Sequence, residues 1–176
     1  MKRTTLIATG IVALAATLAG ADSAMTDANI GAIVVAANQI DIDYGKIAMR
    51  KAKSKEVKDF AQHMVTDHRA VLQSVIALAG KLNLVPKPDA TSETLQKNAV
   101  EVTKKLQALS GADFDRFYVD NEVAYHTQVT QAVASVLIPQ AHNQELKAAL
   151  TGAQSLFLGH LDHSKQLQAG FAHTTH

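Results

Sequence analysis

The 176-residue chain contains no cysteine, no tryptophan and only three prolines. Without cysteine there is no disulfide framework, no lipid-modified N-terminal thiol and no thiol chemistry. Without tryptophan, and with aromatics at 5% of residues, stacking platforms for nucleic-acid bases are scarce. So few prolines, with nine glycines and abundant Ala, Leu, Gln and Lys, favour helix over sheet. Catalytic signatures are missing too: G-x-G-x-x-G, P-loop, H-E-x-x-H and G-x-S-x-G do not occur. Asp67 and His68 are sequence neighbours and do not face each other on a helix, so they form no dyad. No residue is assigned a catalytic role, and these signatures give no reason to read the chain as an enzyme.

What is present begins with a leader. MKRTTLIATGIVALAATLAGADSA has a basic start (Lys2, Arg3), an apolar stretch from Leu6 to Leu18, then small residues, the layout of a secretory signal peptide. Ala19-Gly20-Ala21 supplies an A-x-A site, which places cleavage after Ala21. The apolar stretch is shorter than the ~20 residues a bilayer span needs. The reading is export to the periplasm, with association with the outer membrane as its extension, and no transmembrane span in the mature chain. The domain plan is then 1–21 signal peptide, 22–170 helical bundle, 171–176 flexible tail.

Loss of the leader removes two of the 17 basic residues and none of the 16 acidic ones, leaving a net charge of −1. A nearly neutral protein gives no reason to expect a nucleic-acid partner. The local excess of Lys46, Arg50, Lys51, Lys53, Lys55 and Lys58 has two readings. It either meets anionic lipid or cell-wall polymer, or forms a solvated helix end where the dipole favours cations. No feature identifies a protein partner.

Four long helices and one shorter one are predicted. The first runs from about Thr26 to Lys53 and the second, capped by Ser54, to about Leu82. LVPKPDATS forms a loop, and a shorter helix from about Glu93 to Leu109 leads to the break at Ser110-Gly111. The third long helix spans about Asp113 to Leu137 and stops before Pro139; the fourth, capped by Asn143, ends near Ala169. Two tight links make two antiparallel hairpins, and about 27 residues join them. This predicts an all-α, ferritin-like four-helix bundle of two antiparallel hairpins with a long helical connection; simple up-down-up-down connectivity is the alternative.

Each long helix carries a polar residue on or beside its apolar line. His68 interrupts Val57, Ala61, Met64, Leu72 and Val75, at steps of three and four. His160 lies between Phe157 and Ser164, and His126 follows Glu122 on one line with Val119 and Val129. Asp41 and Tyr44 border the first stripe. Counted from the two short turns at ~1.5 Å per residue, Asp41, His68, His126 and His160 fall within roughly two helical turns in height. Three imidazoles and a carboxylate suit one divalent ion such as Zn(II), Cu(II), Fe(II) or Ni(II). Tyr44, Glu122, His163 and Asp43 are candidates for the surrounding shell. The competing reading is a metal-free polar layer of the same residues, satisfied by hydrogen bonds. His63, His142, His173 and His176 read as surface, turn or tail.

NQIDIDYGKIAMRKAKSKEVKDFAQHMVTDH, LSGADFDRFYVDNEVAYH and GHLDHSKQL together resemble an exported bacterial family of unknown function with a ferritin-like fold, often labelled only as outer membrane proteins. The resemblance covers roughly Asp27 to Gln168, and its pattern falls on Asp41, Asp67, His68, Phe114, Asp115, Tyr118, His126 and His160. Asp41 and Asp43 stand where the family usually has Glu, which shortens their reach, and Glu122 has no counterpart in the pattern. The resemblance implies a fold and no activity. A di-iron carboxylate centre would need two Glu-x-x-His motifs, yet Val65, Val123 and Phe157 stand three residues before the histidines. The expectation is therefore one metal at most, used for metal handling or stress protection in the envelope. A structural or interaction protein with a metal-free core is the alternative.

Overall fold

The computed structural model describes residues 25–173. The proposed signal peptide and the last three residues lie outside it. Among the described residues there are helices and no strands. We number them α1 (Asp27–Lys51), α2 (Lys55–Lys81), α3 (Ala90–Ala108), α4 (Gly111–Ala132) and α5 (Gln144–His173). No helix among the described residues is long and apolar enough to cross a membrane.

The expected caps are in place. The Ser54 hydroxyl accepts from the Val57 N–H at the start of α2. Asn143 Oδ1 accepts from the N–H groups of Glu145 and Leu146, satisfying orphan donors of α5. Thr26 and Asp89 build capping boxes for α1 and α3. At the end of α2, Asn83 adopts a left-handed φ of 51°. Its N–H bonds Gly80 O while the Leu84 N–H bonds Ala79 O, a Schellman ending that turns the chain into the loop.

One expected boundary is overturned. Pro139 does not stop the third long helix: α4 continues through a π-helical turn, Val133–Leu137, and a short α-turn, Ile138–Gln140. Proline removes an N–H and crowds the carbonyl four residues earlier. The wider turn relieves that crowding, with the Ile138 N–H reaching back to Val133 O. The fourth long helix also runs past its expected end near Ala169, to His173.

Hydrogen bonds between the two hairpins define the connectivity. At one end, the Asp27 carboxylate accepts from the backbone N–H groups of His142 and Asn143, in the α4–α5 link. At the other, Asp115 accepts from Lys53 N–H at 2.8 Å and Ser54 N–H at 2.7 Å, in the α1–α2 link. Helix α1 thus runs up, α2 down, α4 down and α5 up. The connection α3 climbs back along α1: Lys87 pairs with Ala28 and Asn29 at its lower end, and Lys51 Nζ donates to Leu106 O at its upper end. This is one long crossover, not simple alternation. Within the four-helix bundle packing neighbours are antiparallel: α1 touches α2 and α4, and α5 touches the same two, while α3 lies parallel against α1.

Covered by α3 as well as by the bundle, α1 buries residues nearly all round, among them Ile30, Ile33, Val34, Ala36, Ile40 and Ile42. Gly45 lets α1 and α2 approach closely, since a Cβ there would lie 2.7 Å from Val65 Cγ2 and 3.1 Å from Ala61 O. The Phe60, Phe114 and Tyr118 rings fill the upper core. The polar residues marked in the sequence sit in the layer below them.

Candidate metal centre

Four helices each deliver part of one buried cluster. Asn38 and Asp41 lie three residues apart on α1, and Glu122 and His126 four apart on α4, so each pair shares a face. His68 comes from α2 and His160 from α5. Asp41 is 1% exposed, His68 2%, and Glu122 and His126 0%.

The three imidazole rings surround a common point. Their centroids are 5.6 Å apart for His68 and His126, 5.1 Å for His68 and His160, and 5.4 Å for His126 and His160. One ring nitrogen of each lies within 4.8 Å of the others. Each ring is also anchored through one nitrogen. His68 Nδ1 pairs with Asn38 Oδ1 at 2.9 Å, His126 Nδ1 with the Glu122 carbonyl at 3.2 Å, and His160 Nε2 with Asp67 Oδ2 at 2.9 Å. The remaining nitrogens, His68 Nε2, His126 Nε2 and His160 Nδ1, are buried without a hydrogen-bond partner.

This division is what a metal site requires. A ligating histidine donates its other N–H to a carboxylate or carbonyl, which fixes the tautomer and turns the lone pair toward the ion. Asp41 Oδ2 stands 3.4 Å from His68 Nε2 and 3.7 Å from His126 Nε2. A tetrahedron with bonds of ~2.1 Å has edges of about 3.4 Å. Two imidazoles and a carboxylate near that spacing, with a third imidazole within 4.8 Å of the first two, make a donor set that could hold one small divalent ion.

A second triad shares His126: Asp41, Glu122 and His126 also bring ligand atoms within 4.8 Å of one another. Asp41 Oδ1 and both carboxyl oxygens of Glu122 are buried and unpartnered. The core thus holds two carboxyls, where the sequence placed Glu122 only in the surrounding shell.

Burial governs the electrostatics. It pushes Glu122 up to about 8. It raises Asp41 well above the carboxylate range, helped by the neighbouring charge of Glu122 and opposed by His126. Burial depresses His68, with the repulsion of His126 and His160 adding to it. His126 and His160 are also lowered by burial, opposed in the first by Asp41 and in the second by the hydrogen bond to Asp67. Neutral imidazoles offer lone pairs, and a bound dication would invert the carboxyl shifts.

The other sequence candidates divide sharply. Asp43 points outward, paired with Lys46 at 3.0 Å and with Gln39, and is not part of the cluster. His163 packs edge-on against Phe60 with ring centres 4.9 Å apart. Tyr44 is buried against Tyr125, close enough to the carboxyls that their charges help raise it. In the basic run, Lys46 and Lys55 pair with Asp43 and Asp59, and Lys51 turns inward to the last carbonyls of α3, Leu106 and Gln107.

Sequence reasoning missed the anchoring partners. Asn38 was legible only as a polar residue three before Asp41. Asp67, which falls on the family pattern and forms no dyad with His68, pairs across helices with His160.

Against known proteins, the family described as Domain of unknown function (DUF4142) matches residues 13–167. No curated protein and no solved structure matches the chain.

Proposed function

From the premise that the chain belongs to the DUF4142 family, whose description names no activity, we propose that it is an exported, ferritin-like bundle protein binding one divalent transition metal in its core. His68, His126 and His160 hold the ion with Asp41, and Glu122 stands beside them as an outer carboxylate. The observation that carries this reading is the set of three anchored imidazoles whose inner nitrogens are buried and unpartnered. Three such nitrogens cost stability unless something bonds them. The ferritin-like label rests on the single long crossover between hairpins. Export rests on the leader in residues 1–21.

Bound there, the ion would supply Lewis acidity or redox capacity, according to its identity. The chain's own groups select a borderline metal, deprotonate on binding and exclude bulk water. Storage, sensing or protection of the envelope against metal stress fits a buried site with no catalytic motif. The test is metal content of the untagged mature protein, with His173 and His176 replaced by alanine to remove adventitious sites. About one equivalent is expected, lost in His68→Leu, with a rise in melting temperature on titration of metal-free protein. A protein that is isolated metal-free and shows no thermal shift with Zn(II), Cu(II), Fe(II) or Ni(II) would leave the polar-layer reading standing. The search for function would then pass to the surface, including Arg50, Lys53 and Lys58.

A further inference from the structure

Below the histidine cluster lies a cavity of about 350 Å³ between the helices. Apolar side chains form its walls, among them Ile33, Val75, Val129, Leu137 and Leu150. It follows α5 from Leu146 to Phe157, which at ~1.5 Å per residue is roughly 16 Å. That run is about the length of one extended medium-length chain.

The two ends differ. At the inner end stand Asp41 and His68, whose Oδ1 and Nε2 are buried and unpartnered. Along its side, from the height of His68 downward, the cavity reaches the surface between α2 and α5, where Ala70, Ser74, Ala149 and Gly152 line it and are exposed. Small side chains on both helices keep that cleft open. The volume falls at the lower end of the range for small-molecule pockets.

We propose that this cavity binds a single unbranched-chain molecule with an oxygen-bearing head, of the medium-chain fatty acid class. Its tail lies along the apolar walls and its head meets Asp41 and His68. A protonated carboxylic head brings one O–H donor and acceptor oxygens, which complement the lone pair of His68 Nε2 and the carboxyl of Asp41. The proposal rests on the cavity and its polar end, not on the metal reading. An ion on the histidines would take the same His68 Nε2 lone pair, so head and ion compete there.

The test is calorimetric titration of the mature chain, chelator-treated and metal-loaded, with hexanoic, decanoic and hexadecanoic acids. Decanoic acid is expected to bind saturably, one per chain, in at least one form, with affinity rising from hexanoic to decanoic acid and no further. Ala153→Phe and Val75→Phe narrow the cavity from α5 and α2, each about two helical turns from the histidine on its own helix. Each is expected to weaken decanoic acid by about tenfold or more, with helicity and metal content unchanged. Absence of saturable heat in both forms would overturn the proposal. So would folded variants that bind as the native chain does, or affinity still climbing at hexadecanoic acid, the behaviour of surface adsorption. Binding of the acid by a protein that takes no metal would separate this inference from the metal reading.

Discussion

At the residue scale, the metal reading divides the two nitrogens of each buried imidazole between anchoring and coordination. Asn38 holds His68 Nδ1, so Asn38→Ala should leave the ligand in place yet let its ring turn. Outer-shell losses of this kind weaken metal binding by about 10–100-fold. Competition titration against a chelator should show that drop in Asn38→Ala, and a larger one in His126→Leu. Equal affinity in Asn38→Ala would mean that packing alone orients the ring. The Glu122 carboxyl gives a second residue-scale prediction, for the metal-free protein. Its folded value of about 8 lies above the ordinary 4.5. Its stabilising contribution is therefore complete below about 4.5 and is lost as pH rises toward 8. His68 works the other way: depressed below 6.5, it favours the fold above that value and loses this as pH falls. From about pH 7 to 8 the imidazoles are mostly neutral folded or unfolded, and the slope belongs chiefly to the carboxyls. Metal-free Glu122→Gln should accordingly lose less denaturant resistance over that window than the native chain. A parallel loss in both would assign the slope elsewhere.

At the scale of elements, the fit of α1 against α2 depends on Gly45, where a methyl would meet Val65 and the Ala61 carbonyl. Gly45→Ala gains helix propensity but forces the helices apart, and overpacking of this kind costs ~1–3 kcal/mol. A lowered melting temperature is expected, although the same change at an open helical position would raise it. Helix heights were legible beforehand because short turns fix where each residue starts counting, and Asp41, His68, His126 and His160 indeed share a layer. Rotation about each helix axis was not legible, since it depends on which helices touch. The partner of Asp67 was not legible for that reason: on α2 it turns away from His68, as sequence neighbours on a helix do, and toward α5. Pro139 was misjudged for a local one, because opening into a π turn costs less than ending a helix whose far side still packs.

At the scale of the whole molecule, one site ties four helices while the fifth holds the topology. Asp27 and Asp115 clasp the short links at opposite ends of the bundle. Because the clasps share no partner, Asp27→Ala and Asp115→Ala should destabilise additively, within about 0.5 kcal/mol. The metal reading predicts a different pattern. Residues of α1, α2, α4 and α5 converge on the ion, whereas α3 packs on the outside of α1 and supplies no ligand. A ligand at about 100 times its dissociation constant stabilises the folded state by ~2.7 kcal/mol. That increment reaches only openings that break the site. Detachment of α3 from α1 leaves the histidines together, so its cost should not change. Hydrogen exchange of metal-free and metal-loaded protein should then show slowed exchange in the middle of the four ligand helices and little change in amides of α3 that exchange by local detachment. Equal slowing along α3 would mean that the crossover opens only when the bundle does. No slowing anywhere would remove the metal from the core.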